Sequence, residues 1–493
     1  MRRLKKPFFV LLGPACFGLL ELVGPPTGMS VDAMHILAGT IWIAIWWITE
    51  AAPISITALL PIVIFPLTGA LSLSETTTSY GHKYIFLYLG GFMLAIAIEK
   101  WNLHRRISLN IIKIIGSNIT TIILGFMIAT AFMSMWISNT ATSVMMLPIG
   151  LAIIKEFEAD AADHPRDTRN FGKALMLAIA YSASIGGFAT LIGTPPNLVL
   201  IGILEQLYEV KISFFQWMIF GLPLSLLLLA ICWRYLVKYA FKFELKELPG
   251  GKEQINRLVR DLGKLSYEEK VVAVVFALTA VAWICRSLIQ QIVPGIDDTI
   301  IAMISGISLF LIPASDKSKR IIHWEECKEI PWGIILLFGG GLALAKGFSQ
   351  TGLAEWIALQ MTSLEGLSLL LLILVLAASV NFLTEITSNL ATTAMLLPVL
   401  APMAIAFDLH PYMIMVSVTI SASCAFMLPV ATPPNAVVFG SGYLRIPDMV
   451  RAGIWMNLIS ILIITLATYQ FLPILWDFEP IGFPEQFIEI LKK

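Results

Sequence analysis

The sequence predicts an all-α protein that crosses a membrane many times, and two observations support this prediction. Of the 493 residues, 57% are hydrophobic and 13% are charged, with a mean hydropathy of +0.82, whereas a soluble domain carries about 25% charged residues. Apolar runs recur along the chain at roughly the 20-residue length that a helix needs to cross a bilayer. The formal net charge is +0, so the composition indicates no nucleic-acid partner.

The apolar runs give the expected crossings in chain order. No small-residue cleavage pattern follows the first run, so we expect it to be a retained span rather than a signal peptide. Two further apolar stretches, 119–154 and 366–404, are too long for one crossing and too short for two. The expected crossings cover residues 7–24, 33–50, 54–72, 84–100, 174–206, 213–235, 270–291, 298–313, 331–347, 411–440 and 452–475.

Basic residues predict the orientation, because cytoplasmic loops carry an excess of Lys and Arg. Arg2 and Arg3 place the N-terminus in the cytoplasm, and the strongly basic loop between Arg234 and Lys270 must lie there too. The segment 174–206 therefore crosses once despite its length. About eleven crossings of the cell (inner or plasma) membrane result, with the C-terminus outside.

The two long apolar stretches are expected to be re-entrant hairpins that enter from opposite faces. Basic residues flank 119–154 on both sides, which indicates entry and exit on the cytoplasmic side, with Ser138, Asn139 and Thr140 at the tip. No Lys or Arg lies between Lys346 and Arg445. A hairpin that dips in from outside over 366–404 fits this pattern.

Three short sequences each have a similar second copy about 240 to 250 residues further along the chain. They are SNTATSVMMLPI (138–149) and SNLATTAMLLPV (388–399), LGGFMLA (89–95) and GGGLALA (339–345), and SASIGGFATLIGTPPN (182–197) and SASCAFMLPVATPPN (421–435). Each half of the chain therefore contains a helix, a hairpin and an interrupted helix, and the charge pattern orients the two copies oppositely. Inverted repeats with broken helices are typical of secondary transporters, whose site lies between the repeats. The alternative is an old duplication in which the prolines are only structural.

The same pattern divides the chain into six segments. They are N-terminal scaffold helices (1–83), a first repeat (84–235, with the hairpin 119–154 and the broken helix 174–206), a cytoplasmic loop (236–269), scaffold helices of the second half (270–330), a second repeat (331–475, with the hairpin 366–404 and the broken helix 411–440), and an extracytoplasmic tail (476–493).

The four polar interruptions predict binding of a hard cation together with an anion. Ser-Asn tips supply hydroxyl and amide oxygens, and Thr-Pro-Pro-Asn leaves carbonyl oxygens free because proline lacks an N–H group. Such oxygen ligands suit Na⁺ better than a transition metal, while free N–H groups at the helix starts favour an anion. No arginine lies in the interruptions, and Glu385 is expected to be structural because its carboxylate would repel an anion. A polyanionic substrate would therefore need bound cations beside it.

Five stretches together resemble the divalent anion/sodium symporter family. They are SNTAT with its following proline, the paired GTPPN and ATPPN loops, LGGFMLAIAIEKWNLHRRI (89–107), WWITEAAP (46–53) and GGGLALAKG (339–347). The resemblance covers nearly the whole chain. It implies a homodimer with a scaffold domain and a mobile transport domain that works by an elevator motion, carrying di- or tricarboxylates or sulfate.

The resemblance also implies where ions and substrate bind. One Na⁺ site would use Ser134, Ser138, Asn139 and the Gly193 backbone, and the second would use Thr384, Ser388, Asn389 and the Ala431 backbone. The substrate carboxylates would contact Asn139, Thr140, Thr194 and Pro195 on one side and Asn389, Thr432 and Pro433 on the other. One position departs from the family pattern, because the second tip has Leu390 where the first has Thr140.

These features lead us to expect Na⁺-coupled symport of C4-dicarboxylates such as succinate, fumarate and malate. The expected partners are the dicarboxylate, sodium ions, the lipid bilayer and a second copy of the chain. The alternatives are an Na⁺-independent dicarboxylate exchanger, or a citrate or sulfate transporter of the same family. An enzyme is disfavoured because the sequence has no HExxH, G-x-S-x-G or paired acid/base cluster, and a channel because two opposed hairpins favour alternating access.

Overall fold

The computed structural model describes residues 2–116, 118–160, 163–245, 251–316, 318–361 and 368–491. Helices make up 77% of the fold, and the described residues contain no strand. The predicted all-α fold class is therefore confirmed. Residues 366 and 367, the first two of the expected second hairpin, lie outside the described residues.

Twelve helices cover the first half of the chain. They are α1 (Arg2–Val23), α2 (Val31–Thr49), α3 (Ile54–Thr57), α4 (Leu60–Thr68), α5 (Leu73–Thr78), α6 (Lys83–Lys100), α7 (Leu103–Ile115), α8 (Ile119–Ser134), α9 (Asn139–Asp160), α10 (Pro165–Gly187), α11 (Pro195–Tyr208) and α12 (Phe214–Tyr235).

The second half follows a similar order after a surface helix. Its helices are α13 (Gly251–Asp261), α14 (Tyr267–Ile284), α15 (Arg286–Ile289), α16 (Asp298–Leu311), α17 (Trp332–Gln350), α18 (Leu353–Met361), α19 (Leu369–Thr384), α20 (Asn389–Ala406), α21 (Pro411–Ala422), α22 (Pro433–Phe439), α23 (Ile446–Gln470), α24 (Leu472–Trp476) and α25 (Glu485–Leu491).

Most helix bounds lie close to the expected crossings, with two informative differences. The expected crossing 54–72 consists of the short helices α3 and α4, because proline at residue 61 starts a new helix. The expected crossing 174–206 begins earlier, at Pro165, and breaks at residues 188–194. Seven helical segments in the described part of the chain are long and apolar enough to cross a bilayer unaided. The expected crossings 54–72, 174–206 and 411–440 each consist of two consecutive helices.

Two antiparallel helix pairs occupy the stretches expected to be hairpins. Residues 135–138 join α8 to α9, and residues 385–388 join α19 to α20. Each pair packs against the broken helix that follows it, α10 with α11 or α21 with α22. The second arm of each pair also contacts the other half of the chain, α9 through α22 and α20 through α11. The two tips and the two breaks are thereby interlocked.

The short helices α7 and α18 were not predicted, and they occupy corresponding positions. α7 follows α6 and begins at Leu103, whereas α18 follows α17 and begins at Leu353. One face of α7 is apolar and buried, while its other face carries Arg105 and Lys113. The polar face of α7 and the length of α18, only 9 residues, hid these helices from a search for apolar runs of crossing length. They add a matched element to each half of the chain.

Two ion pairs join helix ends that are far apart in the sequence. Lys173 Nζ lies 2.6 Å from Asp448 and connects the starts of α10 and α23. Lys83 Nζ lies 2.6 Å from Glu205 and connects the start of α6 to the end of α11. In both pairs, the predicted crossings place the two joined ends on the same face of the membrane.

Candidate functional site

The first tip brings together two of the predicted sodium ligands and a carbonyl group. Ser134 ends α8 and Asn139 begins α9, so the intervening turn returns the chain on itself. Ser134 Oγ lies 2.6 Å from Asn139 Oδ1 and 2.7 Å from the carbonyl oxygen of Ala183 in α10. A hydroxyl has one proton and can donate it to only one of these oxygens at a time. With the Asn139 amide oxygen turned toward Ser134, three oxygens share a single proton.

The side-chain amide of Asn139 extends this oxygen cluster. Its oxygen faces the carbonyl oxygens of Gly193 at 3.2 Å and Ala183 at 3.1 Å, and the reversed amide would donate an N–H to each of them. The orientation of an amide is assigned from its surroundings, and a cation in the cluster would favour the oxygen-inward form. A Cβ at Gly187 would lie 2.3 Å from Asn139 Oδ1, so glycine is required for this close approach.

The second tip repeats the same geometry with threonine in place of serine. Thr384 ends α19 and Asn389 begins α20. Thr384 Oγ1 lies 2.7 Å from Asn389 Oδ1 and 3.1 Å from the carbonyl oxygen of Ala422 in α21. As in the first tip, a hydroxyl and an amide five residues apart meet a carbonyl of the following broken helix. The structure thus places two equivalent oxygen clusters at the two tips.

The two half-helices begin with nearly identical backbones. Thr194 precedes α11 with φ −141° and ψ 139°, and Thr432 precedes α22 with φ −140° and ψ 149°. Pro195 and Pro433 then open the two half-helices. Both threonines are almost fully buried, and Ala431 beside the second is 4% exposed. Each half-helix therefore directs the positive end of its dipole into the interior of the protein, while its two prolines carry no N–H group and the N–H of the following asparagine is bonded to the preceding threonine.

The predicted tip residues differ in their surroundings. Ser138 Oγ accepts a hydrogen bond from the Ala141 backbone N–H at 3.2 Å, which caps the start of α9. Thr140 is exposed. In the second tip, Ser388 and Leu390 line a cavity of about 590 Å³, whose opposite wall includes residues 50–55. The position that departs from the family pattern therefore lies on a cavity surface.

Two asparagines in the repeated TPPN sequence hold the breaks closed, a role that was not predicted. Asn197 Nδ2 donates to the carbonyl oxygens of Phe188 at 3.2 Å and Thr190 at 2.8 Å. Asn435 Nδ2 donates to those of Ala425 at 3.2 Å and Leu428 at 3.0 Å. Each asparagine pairs carbonyl groups that a continuous helix would have satisfied. The repetition of this asparagine in both breaks was a signal that could have revealed its role.

Glu385 holds the second break from the hairpin side. Its carboxylate accepts hydrogen bonds from three consecutive backbone N–H groups, those of residues 426–428, at 2.8 to 3.0 Å. The Asn457 side-chain amide donates a fourth at 2.7 Å. The corresponding residue of the first tip is Met135, which cannot make such contacts. The structural role expected for Glu385 fits these bonds, and it makes the two halves unequal. Nothing in the sequence repeat indicated Asn457.

Comparison with known proteins shows that this chain is similar to transporters. The profile described as the sodium:sulfate symporter transmembrane region matches residues 8–477. The chain is 48% identical over 473 residues to the sodium-dependent dicarboxylate transporter SdcS of Staphylococcus saprophyticus, covering 94% of this chain and 91% of the relative. The protein of the same name from Staphylococcus aureus strain USA300 is 48% identical over 483 residues, covering 95% and 93%.

Two solved structures share the fold at low sequence identity. MtrF of Neisseria gonorrhoeae matches with a TM-score of 0.56 and 12% identity, covering 91% of this chain and 97% of its own. The YdaH transporter of Alcanivorax borkumensis matches with a TM-score of 0.57 and 13% identity, covering 97% and 99%. The protein is therefore a multi-pass membrane transporter rather than an enzyme, and it belongs to the divalent anion/sodium symporter family.

Proposed function

We propose that this protein couples the entry of Na⁺ to the uptake of C4-dicarboxylates. The observation that carries the proposal is the pair of clusters, in which a hydroxyl, a side-chain amide and a backbone carbonyl oxygen meet at each tip and, with the amide oxygen turned inward, share one hydroxyl proton. Oxygens brought this close without protons between them repel one another, and a hard cation relieves that repulsion. The sodium-dependent relatives at 48% identity support Na⁺ as this cation.

Each cluster would hold one Na⁺ through residues of a single half of the chain. The first would use Ser134, Ser138, Asn139 and the carbonyl oxygen of Gly193. The second would use the corresponding set at Thr384, Ser388, Asn389 and Ala431. An Asn139 oxygen turned inward would lie 2.6 Å from Ser134 Oγ and 3.2 Å from the Gly193 carbonyl oxygen, whereas without an ion the reversed amide, which donates an N–H to these atoms, fits the same distances better.

The dicarboxylate would bind between the two tips. Asn139, Thr140, Thr194 and Pro195 would contact one carboxylate, and Asn389, Thr432 and Pro433 the other. The helices that begin at Asn139 and Asn389 offer backbone N–H groups, and those that begin at Pro195 and Pro433 offer positive dipole ends, both of which favour carboxylates. Leu390 offers only apolar surface, which suits the short apolar middle of succinate and leaves no partner for a third carboxylate. Burying an unpaired charge is costly, so citrate should be a poor substrate.

Alternating access would come from an elevator motion in a homodimer. The hairpins and broken helices (α8–α12 and α19–α23) would form the mobile body, and α1–α6 with α14–α17 the scaffold. The proposed orientation has the N-terminus in the cytoplasm and the C-terminus outside, which the basic loops support.

A flux assay in proteoliposomes tests the proposal directly. We expect an inward Na⁺ gradient to drive accumulation of labelled succinate, and we expect K⁺ in its place to abolish accumulation. Uptake that needs internal dicarboxylate and ignores Na⁺ would instead identify an exchanger. Sulfate or citrate uptake that exceeds succinate uptake would contradict the substrate assignment.

A further inference from the structure

A second cavity, of about 580 Å³, lies away from the tips, at the ends of three helices. Its walls come from the start of α10, the end of α12 with the turn that follows it, and the start of α23. Asn170, Tyr239, Arg451 and Trp455 are among the lining residues. The turn after α12 is a short π-helix over Leu236–Ala240, so α12 changes its winding at this cavity.

Most polar side chains of this cavity are engaged within the protein, but Arg451 is not ion-paired. The Tyr235 hydroxyl donates to the carbonyl oxygen of Ala452 at 3.1 Å, and Asp448 is paired with Lys173 at 2.6 Å. None of the ion pairs found among the described residues involves Arg451. The Asp448 carboxylate is therefore already neutralised by Lys173. The exposed Arg451 guanidinium in the same cavity has no carboxylate of its own among the described residues.

Two exposed aromatic side chains of the cavity suit a position at the surface of a bilayer. Trp455 is 57% exposed and Tyr239 is 64% exposed, and such aromatic rings are typical of the level where headgroups meet acyl chains. Trp455 lies one helical turn beyond Arg451, where the long apolar part of α23 begins. Lys238 adds a second cation, with Nζ 5.9 Å from the Tyr239 ring centroid. The cavity therefore combines the Arg451 guanidinium with two exposed aromatic rings, and Lys238 lies beside one of these rings.

We propose that this cavity binds the headgroup of an anionic phospholipid. The Arg451 guanidinium contacts the phosphate, because its planar donors match phosphate oxygens. Trp455 and Tyr239 contact the glycerol backbone and the first methylene groups. Free phosphate would use Arg451 alone and leave both rings without a partner, so the lipid is the occupant. The surrounding helix ends carry the basic residues predicted to face the cytoplasm, where anionic lipids create a negative surface potential.

Native mass spectrometry of the full-length protein tests this proposal. The detergent-purified protein is titrated with phosphatidylglycerol or with phosphatidylcholine of the same acyl chains. We expect phosphatidylglycerol to be retained preferentially, and Arg451→Gln to lower its retention about tenfold, as loss of a charge-assisted contact predicts. Arg451→Lys should keep part of the binding. Arg320→Gln removes an exposed arginine outside the cavity and should change nothing.

Three outcomes would overturn the proposal. The first is equal retention of both lipids by the unmodified protein. The second is unchanged phosphatidylglycerol retention in Arg451→Gln and in Trp455→Leu, each with an unaltered melting temperature. The third is binding of glycerol 1-phosphate or inorganic phosphate at the cavity as tightly as the lipid, which would identify a free anion as the occupant. If Arg451→Gln does not fold, Arg451→Lys and Trp455→Leu decide between these results.

Discussion

Asn139 and Asn389 have the same neighbours in the two halves of the chain, and the sequence predicted both. The sequence marks both positions because the letters SN recur in a repeated apolar context, and their binding roles stay predictions. Asn457 was missed because it lies outside the repeated stretches. Thr190 lies within 182–197, but the second copy has Leu428 at the corresponding distance before Thr432, so repetition did not mark it, although Thr190 Oγ1 donates to the Met135 carbonyl oxygen at 2.6 Å. Repetition therefore identifies equivalent positions in the two tips, whereas residues that support only one half are found only from the structure.

Replacing either tip asparagine should weaken the dependence of transport on Na⁺. Asn139→Ala and Asn389→Ala each remove an oxygen from one cluster, and an interaction with a charged partner is worth roughly 1.5–3 kcal/mol. We expect the Na⁺ concentration for half-maximal succinate uptake to rise about tenfold or more. Asn110→Ala serves as the control, because that exposed amide bonds only its own helix. Wild-type Na⁺ activation in both tip variants would show that the sites are misplaced.

Replacing Leu390 with threonine should change substrate selectivity. The substitution puts a hydroxyl on the wall of the 590 Å³ cavity and restores the polar residue found at Thr140 in the first tip. We expect citrate, malate and sulfate to compete better against succinate uptake in Leu390→Thr than in the wild type. Val399→Thr makes a similar polar change elsewhere on α20 and should leave the ranking unaltered. An unchanged ranking in Leu390→Thr, or citrate as the best competitor in the wild type, would refute the explanation.

At the scale of elements, the sequence predicted long apolar helices well and short or polar ones poorly. The hairpins were found because 119–154 and 366–404 have lengths that fit no integral number of crossings. α7 was missed because one of its faces is polar, and α18 because its 9 residues are too few to cross a bilayer. α13 lies within 236–269, which was expected to be a cytoplasmic loop. The ion pairs Lys173–Asp448 and Lys83–Glu205 are consistent with the predicted alternation of helix ends.

Cysteine labelling checks the opposed entry of the two hairpins. His164 follows the first hairpin and Ser368 precedes the second, and both are exposed. In a background without Cys16 and Cys285, the two partly exposed native cysteines, we expect His164→Cys to react only from the cytoplasmic side. Ser368→Cys should react only from outside with a membrane-impermeant thiol reagent. Labelling of both from one side would eliminate the inverted-repeat interpretation.

His410, in the connection between α20 and α21, should make the folded protein less stable in acid. Burial lowers the pKa of His410 to about 4, and its ring lies 4.4 Å from that of Phe478. The unfolded chain takes up a proton below about pH 6.5, whereas the folded state stays neutral until about pH 4. Stability is therefore lost as the pH falls through this window, by roughly 1 kcal/mol between pH 7 and 5.5.

Thermal unfolding of wild type and His410→Phe would measure this effect. The wild type should melt at a lower temperature at pH 5.5 than at pH 7, and the variant should lose less. Equal losses in the two proteins would exclude His410 as the cause.

At the scale of the whole molecule, the two halves are built alike but are not equivalent. The similarity of the two tips could be predicted from the sequence. The difference that Glu385 makes between the two breaks could not, because it depends on which backbone N–H groups surround the carboxylate. The contacts of α9 with α22 and of α11 with α20 could not be predicted. Each joins helices from different halves of the chain, and no pattern in the sequence indicates that these helices are neighbours.

Cross-linking would test the proposed movement of one body against the other. Lys83 belongs to the proposed scaffold and Glu205 to the mobile body, so a thiol cross-linker between Lys83→Cys and Glu205→Cys should abolish succinate transport. Reduction of the linker should restore it. Lys173 and Asp448 both belong to the mobile body, and the same cross-link between cysteines there should leave transport largely intact. Full transport by the cross-linked 83/205 protein would rule out the elevator motion.

If Na⁺ binds at the two sites proposed above, the asparagines that close the two breaks should affect how it is captured. Asn197 and Asn435 bond to carbonyls of their own break, so the backbone on which the ligands sit is immobilised by the fold itself. An arriving ion then finds its coordination shell preorganised, and little configurational entropy is lost in assembling it. Loosening one of these loops, for example in Asn435→Ala, would raise the entropic cost of capture without removing a single ligand.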